Sequence, residues 1–240
     1  MIRNVVIALL LGAGLWACSD VYNLSAESNS VGIDNEIQSN ATIDSMIAPY
    51  RDSLSATMDE VIAYAPKDFT KGRPNAALNN WAADALLELH TRRNPVYGPD
   101  QIIVMSLLNV GGLRNTINQG DVTVGDIFKV MPFDNEVVWV EMPWESISDI
   151  TDYLIRKNGE PIAGAILDQD TLLIDGVSAP SGSFWIITSD YLMNGGDKMD
   201  FFEQRLSQEY HGGLLRDVLM DAARKQDTLI FDDKPRVNLK

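Results

Sequence analysis

The chain has 240 residues, 34 acidic against 19 basic side chains, and a formal net charge of −15 at pH 7. This balance argues against nucleic acid or an anionic membrane surface as a partner, because both would be repelled. The single cysteine excludes an internal disulfide, and two histidines, His90 and His211, are too few to build a catalytic cage for two metal ions.

The first 17 residues predict a secretory signal peptide. Arg3 precedes an apolar run, residues 5–16, that is too short to span a bilayer. The segment Leu15-Trp16-Ala17-Cys18 has the form of a lipobox, and Cys18 lies where a lipid-modified cysteine must lie. We therefore expect a cell-envelope protein, on the periplasmic or outer-membrane side, attached to the membrane only by a lipid on Cys18. A plain secretory signal with an incidental cysteine is the alternative.

The segment after the signal changes in composition. Residues 18–40 are rich in Ser, Asn and acidic side chains without a sustained apolar period, which predicts a flexible tether. Residues 41–240 are enough for one sizeable domain.

Helix and strand patterns alternate through this domain. Apolar residues recur at helical spacing from Ile43 to Ile62, with Pro49 inside the segment, and again from Leu78 to Leu89. His90 is expected near the end of the second helix, and His211 in a turn before the last one. Strands are predicted at 101–108, 136–142, 171–174 and 184–188, and further helices at 144–157 and 214–224. The order predicts a mixed α/β fold with more than one hairpin-like strand pair.

Three short loops follow or precede predicted strands, where side chains can meet a ligand. They are Asn109-Val-Gly-Gly-Leu-Arg114, Pro132-Phe-Asp-Asn135 and Ser189-Asp-Tyr-Leu-Met-Asn-Gly-Gly-Asp197. Together they offer two aromatic rings, an arginine, two amides and a carboxylate. That set suits a nucleoside or nucleotide better than a peptide.

Four motifs in order make the chain resemble the C-terminal domain of the 5′-nucleotidase family over about residues 43 to 239. They are Asn79-Asn-Trp-Ala-Ala-Asp-Ala85, the 109–114 loop, Gly120 through Asn135, and Tyr191 through Asp197. The resemblance implies a mixed-sheet, layered α/β fold that holds the nucleoside part of a substrate. In the full-length enzymes this domain works opposite a two-metal phosphatase domain, which normally precedes it in the same chain.

The resemblance also implies roles for the loop residues. Phe133 and Tyr191 would stack on the two faces of the base, at about 1–3 kcal/mol per base, which predicts broad base tolerance. Arg114 would reach the phosphate and ribose side, where a guanidinium can bind oxygens in a bidentate way. Asp197 would accept hydrogen bonds from the ribose hydroxyls.

The remaining members of the predicted site are amides and glycines. Asn109 matches an amide near the base edge, Asn135 is a further amide of the set, and Gly111 and Gly112 would let the backbone approach the ligand. Without the resemblance, the same residues read as a tight turn with a surface arginine, an Asp197 bonded to its own turn, and an Asn placed for local backbone reasons.

One departure concerns the phosphate. Many family members carry a second arginine where this chain has Ala77, and Asn79 replaces the usual glycine. Arg73 is the nearest basic residue that could reach the site from this segment. A nucleoside therefore stays open beside a nucleotide. Asp84 matches a helix aspartate of the family and is expected to be structural.

These features predict the nucleotide-binding or nucleoside-binding half of a split 5′-nucleotidase. No cofactor is expected in this chain, and divalent metals are expected on a separate metallophosphatase chain as its partner. The alternatives are a non-catalytic envelope lipoprotein that captures nucleosides or nucleotides, and a scaffold that has lost the pocket.

Overall fold

The structure is a computed structural model that describes residues 40–93, 103–174 and 182–239. The predicted signal peptide, Cys18 and the tether up to residue 39 lie outside the described residues. Contacts divide the chain into Met1–Met46, of which only 40–46 are described, and Ile47–Lys240, which holds the site. Within the described ranges, no helix has the length and apolar character needed to cross a membrane.

Helices and strands are interspersed along the chain. The helices are α1 (Ala41–Met58), α2 (Ala77–Arg93), α3 (Val124–Val130), α4 (Ile147–Arg156), α5 (Asp190–Met193) and α6 (Leu215–Gln226). The strands are β1 (Val61–Ala65), β2 (Val104–Leu107), β3 (Gly120–Thr123), β4 (Glu136–Pro143), β5 (Ile162–Ala163), β6 (Ala165–Asp168), β7 (Thr171–Ile174), β8 (Ser183–Ser189), β9 (Ser207–Leu214) and β10 (Val237–Asn238). In the described part of the chain, β5 to β8 follow one another without a helix between them. Short 3-10 turns lie at Trp144–Ser146, Gly196–Lys198 and Asp200–Gln204.

A five-stranded mixed sheet forms the centre, in the order β5-β2-β8-β4-β9. Strands β2 and β8 run parallel, and β4 is antiparallel to both of its neighbours β8 and β9. Two smaller sheets accompany it, β1-β3 and β10-β6-β7. The mixed sheets confirm the predicted α/β fold class.

Two apolar layers cover the faces of the central sheet because neighbouring strand residues point to opposite sides. On β4, Val137 and Trp139 join a core with α2, α6 and β1. Val138 and Val140 join a second core with α4 and the β6-β7 hairpin. The layered architecture that the resemblance implied is thus built by strand alternation.

Helix α1 ends earlier than the periodicity predicted. It contains Pro49 and buries none of its residues, and Asn40 Oδ1 accepts the Thr42 N–H at its start. The expected continuation to Ile62 is wrong, because Val61 and Ile62 begin β1, which pairs antiparallel with β3. Burial of Ile62 and Ala63 against a distant strand outweighs the local helical spacing.

Two other local predictions also differ. His211 lies in β9 rather than in a turn, at an irregular part of the β4-β9 ladder. The predicted helix from Trp144 begins with a 3-10 turn and becomes α-helical at Ile147.

The strand order brings the three predicted loops to one end of the sheet. The 109–114 loop follows β2, and the 189–197 loop begins where the parallel neighbour β8 ends. The 132–135 loop precedes β4, whose residue Val137 pairs with Ser189 at the end of β8. An antiparallel strand that starts where its neighbours end therefore places all three loops side by side.

Candidate functional site

The structure brings the predicted ligand residues together around one pocket of about 300 Å³. Its lining consists of Asn109, Gly111, Gly112, Arg114, Phe133, Asn135, Tyr191 and Asp197. A pocket of this size with aromatic and convergent polar groups is typical of a small-molecule site. The roles of these residues toward a ligand stay predictions.

The two aromatic rings of the pocket are exposed, unlike the large aromatics of the core. Phe133 is 41% and Tyr191 47% accessible, whereas Phe184 and Phe202 are fully buried. A Cβ on Gly196 would lie 2.5 Å from Tyr191 Cε1, so the tyrosine ring packs directly on the backbone there. One side of Tyr191 is therefore supported by glycine, which leaves its exposed surface to the pocket.

The Asp197 carboxylate is already oriented by two neighbours. Asn109 Nδ2 donates to its Oδ2 at 2.6 Å, and the Tyr191 hydroxyl donates to its Oδ1 at 3.3 Å. A Cβ on Gly112 would lie 2.5 Å from Asn109 Oδ1, so the turn requires glycine for the amide to hold this position. Asn109 thus orients Asp197, a role that the sequence did not predict, and its predicted place at a base edge stays a prediction.

Two cations lie at the 109–114 loop: Arg114 lines the pocket, whereas Lys71 contacts the loop but is not among the lining residues. Arg114 Nη1 donates to the Gly111 carbonyl at 3.2 Å, and its guanidinium lies 6.0 Å from the Phe133 ring centre. Lys71 Nζ donates to the Leu113 carbonyl. Desolvation, and then the charge of Arg114, lower the pKa of the Lys71 ammonium. In the described part of the chain neither cation forms an ion pair.

Arg73 does not line the pocket, although the sequence left that open. Its guanidinium forms an ion pair with Glu160, whose side chain is fully buried, and its Nε donates to the Gly159 carbonyl at 2.9 Å. Glu160 in turn accepts the Val110 N–H at 2.7 Å. Burial raises the pKa of the Glu160 carboxyl, although the Val110 amide and Arg73 favour its charged form. The pair therefore supports the 109–114 loop from behind.

Arg216 of α6 supports the loop of Phe133. Its side chain is 9% exposed, and its Nη2 donates to Asp134 Oδ1 at 2.7 Å while Nη1 donates to the Phe133 carbonyl at 3.3 Å. The guanidinium also lies 4.1 Å from the Phe128 ring centre. Neither Arg216 nor Glu160 stands out in the sequence, because an arginine on a helix or an isolated glutamate ordinarily indicates a solvated position.

The other residues singled out by the sequence lie away from the pocket. Asp84 forms a bidentate ion pair with Arg236, with Nη1–Oδ1 and Nη2–Oδ2 distances of 2.8 and 2.7 Å. This pair fits the structural role expected for Asp84. Asn79 Nδ2 donates to the Gly72 carbonyl at 2.6 Å. His90 lies in the last turn of α2, near the helix end as the sequence predicts, and 5.8 Å from the Trp139 ring centre. Among residues 40–93, 103–174 and 182–239, no group of three or more His, Cys, Asp or Glu is placed to hold a metal ion.

The fold and the pocket define the chain as a mixed α/β domain with a cavity of about 300 Å³ at one end of the central sheet. Residues 57–162 match the family described as 5′-nucleotidase, C-terminal domain. The 5′-nucleotidase precursor of Thermus thermophilus superposes with a TM-score of 0.68 at 18% identity, over 82% of this chain and 43% of that one. The fold is thus that of the 5′-nucleotidase C-terminal domain, and these matches support the family that the four motifs indicate.

Two relatives match in sequence. An apyrase of Tabanus yao is 21% identical over 192 residues, 68% of this chain and 34% of that protein. A 5′-nucleotidase of Vibrio cholerae is 36% identical over 52 residues, 22% of this chain and 9% of that protein. The chain spans about a third of the first relative and less than half of the matched structure.

We expect Arg73→Ala to destabilise the protein more than Glu160→Gln. The first change leaves a buried carboxylate with only the Val110 N–H as a donor. We expect it to lower the free energy of unfolding by about 2–4 kcal/mol, toward the low end for a broken buried pair, because Arg73 is partly exposed. The second change keeps an oxygen for Val110 and removes the buried charge. Urea unfolding of both variants measures the difference, and equal losses would contradict it.

The same pair has a defined pH dependence. The pKa of Glu160 is raised above 4.5 in the folded protein, so the folded protein holds this proton more tightly than the unfolded chain. The resulting contribution to folding stability is fully present below pH 4.5 and is lost as the pH rises through the raised pKa. Glu160→Gln lacks this titration, so its stability relative to the parent should improve as the pH rises above 4.5. A difference that is independent of pH would show that Glu160 does not titrate in this way.

Proposed function

We propose that this chain is the nucleotide-binding half of a split 5′-nucleotidase, which hydrolyses phosphomonoesters together with a separate metallophosphatase chain. The observation that carries the proposal is the convergence of all eight predicted ligand residues on one pocket. They come from three separate loops, which strand order places side by side, and strand order alone does not make aromatic, cationic, amide and carboxylate side chains face one cavity.

The base-binding end is formed by the two exposed rings. Phe133 and Tyr191 each offer an aromatic surface to the pocket, and stacking on such rings is largely independent of base identity. Asp197 keeps free lone pairs after accepting from Asn109 and Tyr191, since an ionised carboxylate has about four acceptor sites. These sites suit the vicinal hydroxyls of a ribose.

The anion-binding end is formed by Arg114 and Lys71. Two neighbouring cations that have no carboxylate partner among the described residues repel each other, and a phosphate between or beside them would relieve that repulsion. Lys71 thereby supplies a second positive charge, in place of the arginine that many family members carry at the position of Ala77. This charge favours a nucleotide over an uncharged nucleoside. Arginine can in addition bind phosphate oxygens in a bidentate way.

The catalytic metals of the reaction would lie outside these 240 residues, for reasons of residue inventory. Two-metal phosphoester hydrolysis needs several Asp, His and Asn ligands, and this sequence has only two histidines, neither of which lines the pocket. We further propose that a lipid on Cys18 holds the protein at the cell envelope, where it would meet the phosphatase. The divalent metals of the reaction would belong to that partner.

The stacking pair is tested by binding of adenosine and AMP to the full chain. Phe133→Ala and Tyr191→Ala should each weaken binding by about 1–3 kcal/mol, and the double variant should lose less than the sum because both rings contact one base. Isothermal titration calorimetry measures all three. Phe231→Ala, which alters an aromatic outside the pocket, is the control. Parent-like binding by both single variants would refute the stacking pair.

The anion-binding end is tested by comparing the same two ligands. Lys71→Ala and Arg114→Ala should each weaken AMP binding by about tenfold or more, because a hydrogen bond to a charged group is lost, and should change adenosine binding much less. Lys129→Ala removes an exposed lysine paired with Asp126 and is the matched control. Equal losses for AMP and adenosine would place the phosphate elsewhere.

The split enzyme is tested by mixing chains and following phosphate release from AMP. This chain alone, with divalent metals added, should release none above background. A metallophosphatase encoded beside it should show far more activity after mixing, and Arg114→Ala should remove most of that gain. A capture protein would instead bind ligand and lower the rate by sequestering substrate, so an unchanged or reduced rate would overturn the enzyme proposal.

A further inference from the structure

One carboxylate oxygen joins the two loops that carry the aromatic rings. Asp190 Oδ1 accepts the Glu136 N–H at 3.1 Å and also the Tyr191 N–H at 2.8 Å. Glu136 directly follows the Pro132–Asn135 loop of Phe133, whereas Tyr191 is the second ring of the pocket. The pocket lining includes neither Asp190 nor Glu136.

These two hydrogen bonds connect the loops because they lie just beyond the end of the sheet ladder. The ladder between β4 and β8 reaches Val137 paired with Ser189, and both rings lie beyond that pair. Asp190 extends the connection between the two strands past the end of the ladder. A bond from N–H groups to an ionised carboxylate is stronger than a neutral one, and Asp190 also lies in the first turn of α5, where negative charge is favourable.

The other supports of the rings each act on one loop. Arg216 donates to Phe133 and Asp134, and the Leu215 N–H donates to the Asn135 carbonyl at 2.8 Å. On the opposite side, the Gly196 backbone packs against the Tyr191 ring. These contacts orient each ring but do not relate one ring to the other. Asp190 does so.

We infer that Asp190 is a positioning residue that sets the separation of Phe133 and Tyr191, and so pre-forms the slot for the base. The inference rests on the proposed function, since it assigns base stacking to these rings. A slot held at its binding width before the ligand arrives avoids part of the ordering cost of binding. Without the shared carboxylate, the two loops would move more independently beyond the Val137–Ser189 pair, and each ring would contribute more separately.

Binding to the full chain tests the inference through affinity and through coupling. Asp190→Ala should weaken adenosine binding by about three- to tenfold. Asp190→Asn, whose side-chain oxygen can still accept, should restore most of the affinity. In the Asp190→Ala background, the losses from Phe133→Ala and Tyr191→Ala should become additive. The control is Asp152→Ala, which removes an exposed acid on α4. Parent-like affinity and coupling in Asp190→Ala would overturn the inference.

Hydrogen exchange of the ligand-free chain separates this inference from the proposed function. Asp190→Ala should speed exchange of the Glu136 and Tyr191 amides by several-fold and together, while Asp190→Asn and Asp152→Ala leave both near the parent rate. If the parent binds neither adenosine nor AMP but these amides respond together, the proposed function fails and the connection between the loops stands. If ligands bind and the amides do not respond, the inference fails and the function stands.

Discussion

The site depends on one constraint of the central sheet, the entry of β4 antiparallel beside the parallel pair β2 and β8. Parallel neighbours end at the same edge, and an antiparallel strand starts there. Three loops separated by up to about 80 positions in the chain therefore meet without a long excursion of any of them. The pocket is a consequence of strand direction, and its side chains are carried on short segments anchored to a buried sheet, which keeps them ordered.

Charge is distributed around this edge in a way that the net charge of −15 does not suggest. The carboxylates near the pocket are occupied: Asp197 by Asn109 and Tyr191, Glu160 by Arg73, and Asp134 by Arg216. Arg114 and Lys71 have no such partner within the described ranges. An acidic protein can thus present a locally positive region at Arg114 and Lys71, because two of the nearby acids, Glu160 and Asp134, are paired with other arginines.

The supporting residues form a shell behind the loops that is as organised as the pocket itself. Glu160 holds the Val110 amide, Arg216 holds the Phe133 carbonyl, and Asp190 joins the loops of the two rings. The contacts from these three residues to Val110, Phe133 and Glu136 each link positions at least 50 apart. For the proposed ligand, geometry built in this way would be set before binding and would favour affinity through pre-organisation rather than through additional contacts.

Much of the fold and the composition of the site follow from local pattern. Helical spacing predicts α2, alternating and apolar runs predict β4 and β8, and the loop motifs identify Phe133, Tyr191, Arg114 and Asp197 as one set, because residue type and spacing are properties of a short segment. The boundaries that were wrong, at Ile62 and His211, lie where pairing with a distant strand decides the conformation.

What only the tertiary structure decided is which groups meet across long separations. Arg73 pairs with Glu160, 87 positions away, instead of lining the pocket. The Glu160 carboxylate is buried, so it needs this cation as a partner. The sequence by itself determined the chemical inventory of the pocket, since side chains carry their chemistry with them. The tertiary structure decided the orientation of Asp197, the pairing of the cations and the connection through Asp190, because hydrogen bonds and charges act through distance in space and not through position along the chain.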